Sequence, residues 1–398
     1  MTEPLAHDHP GYADYLKYWH LDPAITFLNH GSFGACPIPV LEAQQHWRSR
    51  LERQPLQFLG SEIEELVDAA LVQLADFVGC DWQDLAFVAN ATTGVNTVLR
   101  SLKFAPDDEL LTTNHEYNAC RNALDYVAAR EGLKVVVAEI PFPIQSPEQV
   151  IAAVLQKVSN HTRLVLLDHV TSQTGLIFPI VELVKELTQR GIETLIDGAH
   201  APGMLPLNLS QLGATYYTGN HHKWLCSPKG SGFLYVQRDR HSLIRPLTIS
   251  HGANSTRRDR SRFRLEFDWM GTTDPTSHLA VPTAIDFLGA LLPGGRPALM
   301  QQNHELAIAA RQVLCEALQV PPPGPDAMLG ALAVVPLPDG DAVALHQALL
   351  DHYKIEVPIV PWGQPSGRLI RISAQIYNTL EQYEYLAHAL KQLLNQGL

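Results

Sequence analysis

The sequence predicts an α/β protein in which a large domain with a mostly parallel sheet is followed by a smaller α/β domain. Its 398 residues exceed one ordinary core, and 46% hydrophobic with 18% charged residues is typical of a globular chain. Over residues 85–236, short apolar runs rich in β-branched residues alternate with segments of helical periodicity. After Gly271 that alternation gives way to longer helical segments.

Five strands are predicted in the large domain, at the runs LAFVA, ELLTT, KVVVAEI, RLVLLDHV and ETLID. Helices are expected after the first four runs, at residues 95–102, 120–129, 148–158 and 181–190. Strands that are apolar throughout are typical of a parallel sheet covered by helices on both faces.

The smaller domain is predicted from helices at residues 277–292, up to about residue 318, and at residues 380–394. The Pro- and Gly-rich breaks between them indicate loops, because apolar patterning resumes at ALAVVPL. We therefore predict an N-terminal segment, 1–30, that packs on the small domain, a large domain over 31–285 and a small domain over 286–398.

The net charge of −12 and the pI near 5.8 argue against a nucleic-acid partner, which requires clustered positive charge. Residues 257–264 are the exception, with five arginines. A solvated face is the favoured interpretation of this run, and a wall for an anionic ligand is the alternative.

The five cysteines are odd in number, scattered and without a CxxC pair, which argues against a disulfide framework and a zinc site. No histidine pair has further ligands at the spacing of a closed metal site, so no metal is expected. The acidic start lacks the features of a secretory signal, and no apolar stretch is long enough to span a bilayer. We expect a cytoplasmic protein without a membrane partner.

Polar clusters follow four of the predicted strands, at residues 90–94, 114–117, 171–175 and 197–200. Ligands of an open parallel sheet bind outside the carboxyl ends of its strands. We therefore expect these polar clusters to line one shared crevice.

Lys223 and Asp197 together indicate pyridoxal phosphate. Lys223 lies in a predicted loop between two glycine-containing stretches, and supplies the amine that this cofactor needs for an imine. Asp197 ends an apolar strand, where a carboxylate is costly unless it meets a cation such as a protonated pyridine nitrogen. A helix cap or a tight turn is the competing interpretation of Asp197.

Other candidate residues fit the remaining parts of this cofactor. Ala91, Thr92 and Thr93 stand where a strand gives way to a helix, which suits a phosphate, although a plain helix cap explains the same residues. His115 or Tyr117 is expected to cover one face of the ring, and the small Ala199 allows close approach on the other.

Arg371 lies in the middle of a predicted strand in the C-terminal region. A buried guanidinium requires an anionic partner, and a substrate α-carboxylate would serve. The alternative is a structural ion pair with a carboxylate on a helix.

Five motifs in order, LNHGSFG, DGAHAPG, GNHHKW, WMGTTDP and RISAQIYN, begin at residues 28, 197, 219, 269 and 371. With them the chain resembles the class V aminotransferase family of fold-type I pyridoxal-phosphate enzymes, which share the aspartate aminotransferase-like fold. Within that family it is similar to the isopenicillin N epimerase-like branch, and the similarity extends over nearly the whole chain.

The resemblance implies a role for each matching residue. Lys223 would bind the cofactor covalently, Asp197 would pair with the ring nitrogen, and His200 would take the place of a glutamine that contacts O3' in related desulfurases. A phosphate cup and a carboxylate site are also implied. The cup would use Thr92, Thr93, Asn220, His222 and Thr272 of the partner subunit, and the carboxylate site Arg371 with Asn29 and Ser172 nearby. A homodimer with shared active sites follows.

The resemblance leaves the reaction open. Freed Lys223 would act as a base at Cα of a small amino-acid substrate. Epimerisation then needs a second acid, Tyr117 or His115, whereas β-elimination from a cysteine derivative, as in hercynylcysteine sulfoxide lyases, needs a leaving group at Cβ. Transamination ranks third, and a non-catalytic binding protein fourth.

One departure from the family argues against persulfide-forming desulfuration, because no cysteine follows Cys315. The substrate side chain is expected to meet loops at residues 28–33, 56–61 and 251–264, partly from the partner subunit.

Overall fold

The computed structural model describes residues 15–363 and 366–398. Its strands, in chain order, are β1 Thr26–Phe27, β2 Leu85–Val88, β3 Glu109–Thr113, β4 Lys134–Ala138, β5 Thr162–Asp168, β6 Glu193–Asp197, β7 Tyr216–Asn220, β8 Gly232–Val236, β9 Leu332–Leu337, β10 Ile355–Glu356, β11 Ile359–Pro361 and β12 Arg368–Ser373.

The α-helices alternate with these strands in the first half of the chain and dominate the second half. They are α1 His30–Phe33, α2 Ile38–Arg53, α3 Pro55–Gln57, α4 Ile63–Val78, α5 Ala91–Ser101, α6 Asn118–Glu131, α7 Pro147–Lys157, α8 Ile180–Gln189, α9 Leu209–Leu212, α10 Arg262–Phe267, α11 Thr276–Leu279, α12 Val281–Ala290, α13 Gly295–Leu318, α14 Ala342–Tyr353 and α15 Leu380–Asn395. In the described part of the chain, no helix is long and apolar enough to cross a membrane.

The large sheet has the strand order β2-β8-β7-β6-β5-β3-β4. Only β8 is antiparallel to its neighbours, so the carboxyl ends of β2, β3, β5, β6 and β7 meet at one edge. The predicted α/β class with a mostly parallel sheet is confirmed.

Two strands of this sheet, β7 and β8, lie where we predicted a loop and a glycine turn around Lys223. Gly219 obscured β7, because glycine weakens a strand interior and usually marks a turn. Its place in the sheet has a packing reason: a Cβ there would lie 2.7 Å from the ring of Phe233 and 2.8 Å from Pro202.

A second sheet, β11-β12-β9, is antiparallel and belongs to a separate hydrophobic core with α13 and α15. Of the predicted N-terminal segment, residues 1–14 lie outside the described part of the chain. The rest contacts both cores: Trp19 packs in the large one, whereas Leu28 packs in the small one after β1 pairs with β10.

The predicted helix 277–292 is divided into α11 and α12, and Pro282 occupies the first turn of α12, where its missing N–H costs nothing. The predicted domain boundary after residue 285 falls inside α12. Ile285 and Leu288 of this helix pack in the large core, so the helix continues the large domain.

The arginines of residues 257–264 form ion pairs with carboxylates of α4 and of their own segment. Arg260 contacts Asp68 and Asp268, and Arg264, only 2% exposed, also contacts Asp268. Arg257 binds Glu64 at 2.6 Å. The run is therefore mostly neutralised and anchors α10 to α4, which argues against a wall for an anionic ligand and corrects the picture of a simply solvated face.

Candidate active site

The carboxyl-terminal edge of the large sheet carries the predicted polar residues. Asp197 is the last residue of β6 and Asn220 the last of β7, and Lys223 follows three residues later in a tight turn. Arg371 reaches the same edge from β12 by hydrogen bonding to Ser172, in the loop after β5. The shared crevice expected from the strand ends is thus formed by contacts between residues that are far apart in sequence.

The amine of Lys223 is held by His200. Nζ of Lys223 lies 3.0 Å from Nε2 of His200, and the indole N–H of Trp224 donates to Nδ1 of His200 at 3.3 Å. Burial, and then the charge of Lys223, lower the pKa of His200 far below its usual range, so the imidazole is neutral. With Nδ1 accepting from the indole, the ring proton resides on Nε2 and points at Nζ.

Lys223 can accept that hydrogen bond only after it loses its proton, because only the neutral amine has a lone pair. Burial, and then the positive charge of Arg371, lower the pKa of Lys223 to about 8. Both observations describe an amine that loses its proton easily, and a neutral amine is what imine formation requires.

Asp197 is 2% exposed and accepts two hydrogen bonds, from the backbone N–H of Ala199 at 2.9 Å and from the thiol of Cys120 at 3.0 Å. Burial raises the pKa of its carboxyl, and these hydrogen bonds and the charge of Lys223 oppose the rise. Within the described residues, both hydrogen-bond donors are uncharged. A cationic ring nitrogen would supply the missing charge.

The N-terminus of α5 is built as a cradle next to Lys223. Asn90 caps the helix by accepting from the N–H of Thr93 at 2.9 Å, and Asn220 accepts from the N–H of Ala91 at 2.8 Å. The hydroxyl of Thr92 makes no hydrogen bond among residues 15–363 and 366–398. Because Gly94 has no Cβ, which would lie 2.1 Å from Oγ1 of Thr218, the helix can approach the sheet closely.

His222 borders the same region, and burial, followed by the charge of Lys223, lowers its pKa to about 4. Its buried Nδ1 has no hydrogen-bond partner in the described structure. A neutral imidazole with a free nitrogen and a free threonine hydroxyl beside a helix N-terminus suit the phosphate of the cofactor. Of the predicted cup residues, Asn220 contacts the helix start that carries Thr92 and Thr93, and His222 follows Asn220 by two residues.

Thr272 is exposed and lies elsewhere on the chain. It lines an open cavity of about 690 Å³ together with Leu56, His251, Arg257 and Trp269. The cavity brings together two segments that we expected as loops near the substrate side chain, 56–61 and 251–264, but no other predicted cofactor residue lines it. The expectation of a loop at 56–61 was wrong, because an α-helical turn over Pro55–Gln57 continues into a π-helix over Phe58–Glu62.

Arg371 is 6% exposed and donates to the carbonyl oxygen of Ser172 at 2.6 Å and to the hydroxyl of Ser32 at 2.7 Å. Burial lowers its pKa to about 10, with nearby Tyr117 opposing, and its Nε has no partner within the described residues. These partners are uncharged, so the structural ion pair weighed above is not what holds this side chain. The guanidinium is available to a substrate carboxylate.

Sequence reasoning named Asn29 as a neighbour of Arg371, but the contact runs through Ser32, whose hydroxyl donates to Oδ1 of Asn29 at 2.5 Å. Asn29 itself donates to Glu356 at 2.9 Å. Ser32 is thus a site residue that we missed, although the motif LNHGSFG contained the signal.

His115 and Tyr117 occupy different environments. His115 is fully buried, contacts Thr174 through Nδ1 at 2.8 Å and packs against Trp362 with ring centroids 4.7 Å apart. Burial lowers its pKa to about 4. Tyr117 is 42% exposed at the start of α6 and lies within electrostatic range of Arg371. Of these two candidates, Tyr117 is therefore the one that solvent and ligands can reach.

Glu116, Cys120 and Asp168 surround Asp197 and were not predicted. Oxygen or sulfur atoms of Glu116, Cys120 and Asp197 all lie within 4.8 Å of one another. Burial, and then the charge of Asp197, raise the pKa of the Cys120 thiol far above its usual range, so the sulfur keeps its proton.

The fold and the site define a class of protein that comparison with known sequences identifies. The model of the Aminotransferase class-V family matches residues 35–386. Isopenicillin N epimerase of Amycolatopsis lactamdurans is 37% identical over 388 residues, covering 94% of this chain and 96% of the relative. L-cysteine desulfhydrase of Arabidopsis thaliana is 29% identical, with 96% and 90% covered. The chain belongs to the class V aminotransferase family.

Solved structures agree on the fold. A mutant of C-DES with glycine covalently linked to its PLP cofactor superposes with a TM-score of 0.80 at 23% identity, covering 92% of this chain and 96% of that one. Apo cysteine desulfurase from Thermococcus onnurineus NA1 gives 0.81 at 21% identity, with 97% and 98% covered. The chain has the fold-type I architecture, and family membership and the fit of the site indicate pyridoxal 5'-phosphate as its cofactor.

Proposed function

We propose that this protein is an amino-acid epimerase of the isopenicillin N epimerase kind, which moves a proton from one face of Cα to the other. This proposal rests on two groups that meet at one crevice. Lys223 is a base with a lowered pKa, and the guanidinium of Arg371 has only uncharged partners within the described residues. Identities of 37% and 36% to two isopenicillin N epimerases support this choice.

In the proposed reaction, Arg371 binds the α-carboxylate and fixes the direction of the Cα–H bond. Pyridoxal phosphate supplies an electron sink that acidifies that bond. The neutral amine of Lys223 would take the proton at Nζ on one face. Tyr117 gives a proton from its phenol oxygen on the other face, and Asp197 holds the ring nitrogen throughout.

The alternative is β-elimination from a cysteine derivative, a C–S lyase reaction. It is favoured by the 29% identity to L-cysteine desulfhydrase and the 25% identity to hercynylcysteine sulfoxide lyase of Schizosaccharomyces pombe. The first proton transfer to Lys223 would be the same, and Tyr117 would protonate the leaving group.

We propose that persulfide-forming desulfuration is not the activity. The sequence contains no cysteine after Cys315, and the segment before Arg371 is β11, which is tied to β12 by pairing from Ile359 to Pro361. A short paired strand does not provide the mobile thiol that persulfide transfer needs.

The proposed enzyme is a cytoplasmic homodimer in which Thr272 of the partner subunit closes the phosphate cup. The position of Thr272 supports this sharing. Within a single chain Thr272 is exposed and lines a cavity that none of the other cup residues line. Transamination and a non-catalytic binding role are the remaining candidate functions.

Exchange of the Cα proton in deuterated water, with a panel of L-amino acids and cysteine conjugates, tests the proposal. Inversion without keto acid identifies an epimerase, and pyruvate with thiol identifies a lyase. Keto acid that requires a second substrate means transamination, and no exchange with any compound means a binding protein. A Lys223→Ala variant is the control, because it should lose exchange in every enzymatic case.

A further inference from the structure

Asp197 lies in a buried cluster of acidic groups at the end of two adjacent strands. Asp168 and Asp197 are register partners at the carboxyl ends of β5 and β6. Glu116 and the Cys120 thiol approach from the other side, within 4.8 Å of Asp197. None of the three carboxyl groups is more than 5% exposed. Water therefore contributes little to stabilising negative charge here.

The cluster has too few cations for three ionised carboxyls. Lys223 acts on Asp168 and Asp197, and Arg121 acts weakly on Glu116. Neither cation forms an ion pair with the cluster in the described part of the chain. Burial is the largest cause that raises the pKa of Glu116 and of Asp168, and their carboxyl neighbours raise both pKa values further.

Hydrogen bonds decide which of the three groups carries the negative charge. Asp197 accepts from the N–H of Ala199 and from the thiol of Cys120, and both bonds stabilise the carboxylate. Glu116 accepts from the hydroxyl of Thr112 at 3.0 Å, and the backbone N–H of Tyr117 also opposes the rise of its pKa. Even so, Oε1 of Glu116 and Oδ2 of Asp168 have no hydrogen-bond partner among the described residues. An unpaired buried oxygen is far less costly as part of a neutral acid than as part of an anion.

We propose that Glu116 is a positioning residue for Asp197: it stays a protonated carboxylic acid and so leaves the negative charge of the cluster to the residue that holds the cofactor ring nitrogen. This inference rests on the proposed role of Asp197. Glu116 does not act on the substrate. Its effect is on the charge of Asp197 and hence on the affinity for the protonated ring.

Infrared spectra of the holoenzyme in deuterated water test the protonation state directly. The wild type should show a carboxylic-acid C=O band that Glu116→Gln loses. Glu109→Gln is the matched control, because Glu109 is also mostly buried but pairs with Lys134 at 2.8 Å, which lowers its pKa. That variant should lose only carboxylate absorption. A wild-type spectrum without a band sensitive to Glu116→Gln would overturn the proposal.

Cofactor binding provides the second readout. Glu116→Gln keeps a neutral group of the same shape, so the dissociation constant of the cofactor and the pH profile of its visible absorbance should stay within about threefold and half a pH unit of wild type. Glu116→Ala should weaken cofactor binding about tenfold, because the cavity it leaves removes the side chain that holds the Asp197 carboxylate in position. A Gln variant as weak as the Ala variant would mean that a charge at Glu116 is needed, and would overturn the inference.

The Asp197→Asn variant distinguishes a failure of the proposed role of Asp197 from a failure of the proposal about Glu116. If this variant binds the cofactor with wild-type affinity and spectrum, the proposed role of Asp197 fails, whereas the infrared band still decides the protonation of Glu116. If Asp197→Asn loses binding and Glu116→Gln retains it, both proposals hold.

Discussion

Nε2 of His200 lies 3.0 Å from Nζ of Lys223, and the hydrogen bond from Trp224 to the other ring nitrogen makes Nε2 the donor. The imidazole therefore stabilises Lys223 as a neutral amine before any ligand binds. In the proposed enzyme this nitrogen would donate to O3' of the cofactor. His200 would then serve the amine in the free protein and the ring oxygen after binding.

The first prediction concerns the titration of Lys223 in cofactor-free protein. Burial lowers its pKa to about 8, below the value of about 10.5 in the unfolded chain. Between these pH values the unfolded state binds more protons, so the free energy of unfolding should rise with pH, by at most about 1.4 kcal/mol per pH unit. Urea unfolding from pH 8 to 10 should show this slope in the wild type and lack it in Lys223→Met. Equal slopes would contradict the depressed pKa.

Removing the indole N–H of Trp224 should change the tautomer of His200 rather than act on Lys223 directly. Trp224→Phe leaves Nδ1 of His200 without the N–H that fixes its tautomer. We expect a shift of the pH midpoint of cofactor-imine absorbance, with kcat falling about tenfold, as for loss of one buried hydrogen bond of about 1 to 2 kcal/mol. His200→Gln keeps a side-chain donor and should bind the cofactor better than His200→Ala. The reverse order would rule out a hydrogen-bonding role.

Arg371→Leu should abolish selectivity for carboxylates. Among the described residues the guanidinium has only serine oxygens as partners, so substitution removes the binding site for the α-carboxylate without breaking an ion pair there. We expect kcat/KM for amino acids to fall about 10²-fold or more, as for a lost charge-assisted contact of about 3 kcal/mol. Visible absorbance of the bound cofactor is the control and should be unchanged. A similar loss for an amine lacking a carboxylate would argue against this role.

Asn220→Ala should weaken cofactor binding through the helix terminus. Asn220 accepts from the N–H of Ala91, the first residue of α5, at 2.8 Å. Without it the first turn loses one hydrogen bond, and the dissociation constant of the cofactor should rise about five- to tenfold. Asn96→Ala, which removes a bond to the carbonyl of Thr92 instead, is the matched control. Equal effects would indicate general loss of helix stability.

Mixed dimers test the shared active site. Lys223→Ala and Thr272→Glu chains should each be inactive alone. If each site combines Lys223 of one chain with Thr272 of the partner subunit, a heterodimer has one intact site. An equal mixture after subunit exchange should then recover about a quarter of wild-type activity, because half of the dimers are mixed. No recovery, with heterodimers verified by mass, would contradict sharing.

Much of the fold followed from local pattern. Short runs rich in apolar and β-branched residues identified β2, β3, β4, β5 and β6, because helices cover both faces of such a sheet. Strand β7 was not predicted, because Gly219, Asn220 and the neighbouring polar residues suggest a turn. The close packing of Phe233 and Pro202 against Gly219 explains why the strand contains a glycine. The split after residue 279 was missed for the opposite reason: the helical periodicity continues through Pro282.

Sequence by itself determined which chemical groups this protein carries and at which strand ends they stand, because motif spacing and apolar patterning are local and a parallel sheet gathers its carboxyl ends on one edge. Tertiary structure alone decided how those groups act on one another. Cys120 meets Asp197 across 77 residues and Ser32 meets Arg371 across 339. Protonation follows from burial and from such contacts, so the neutral amine of Lys223 and the crowded carboxyls around Asp197 exist only in the folded chain.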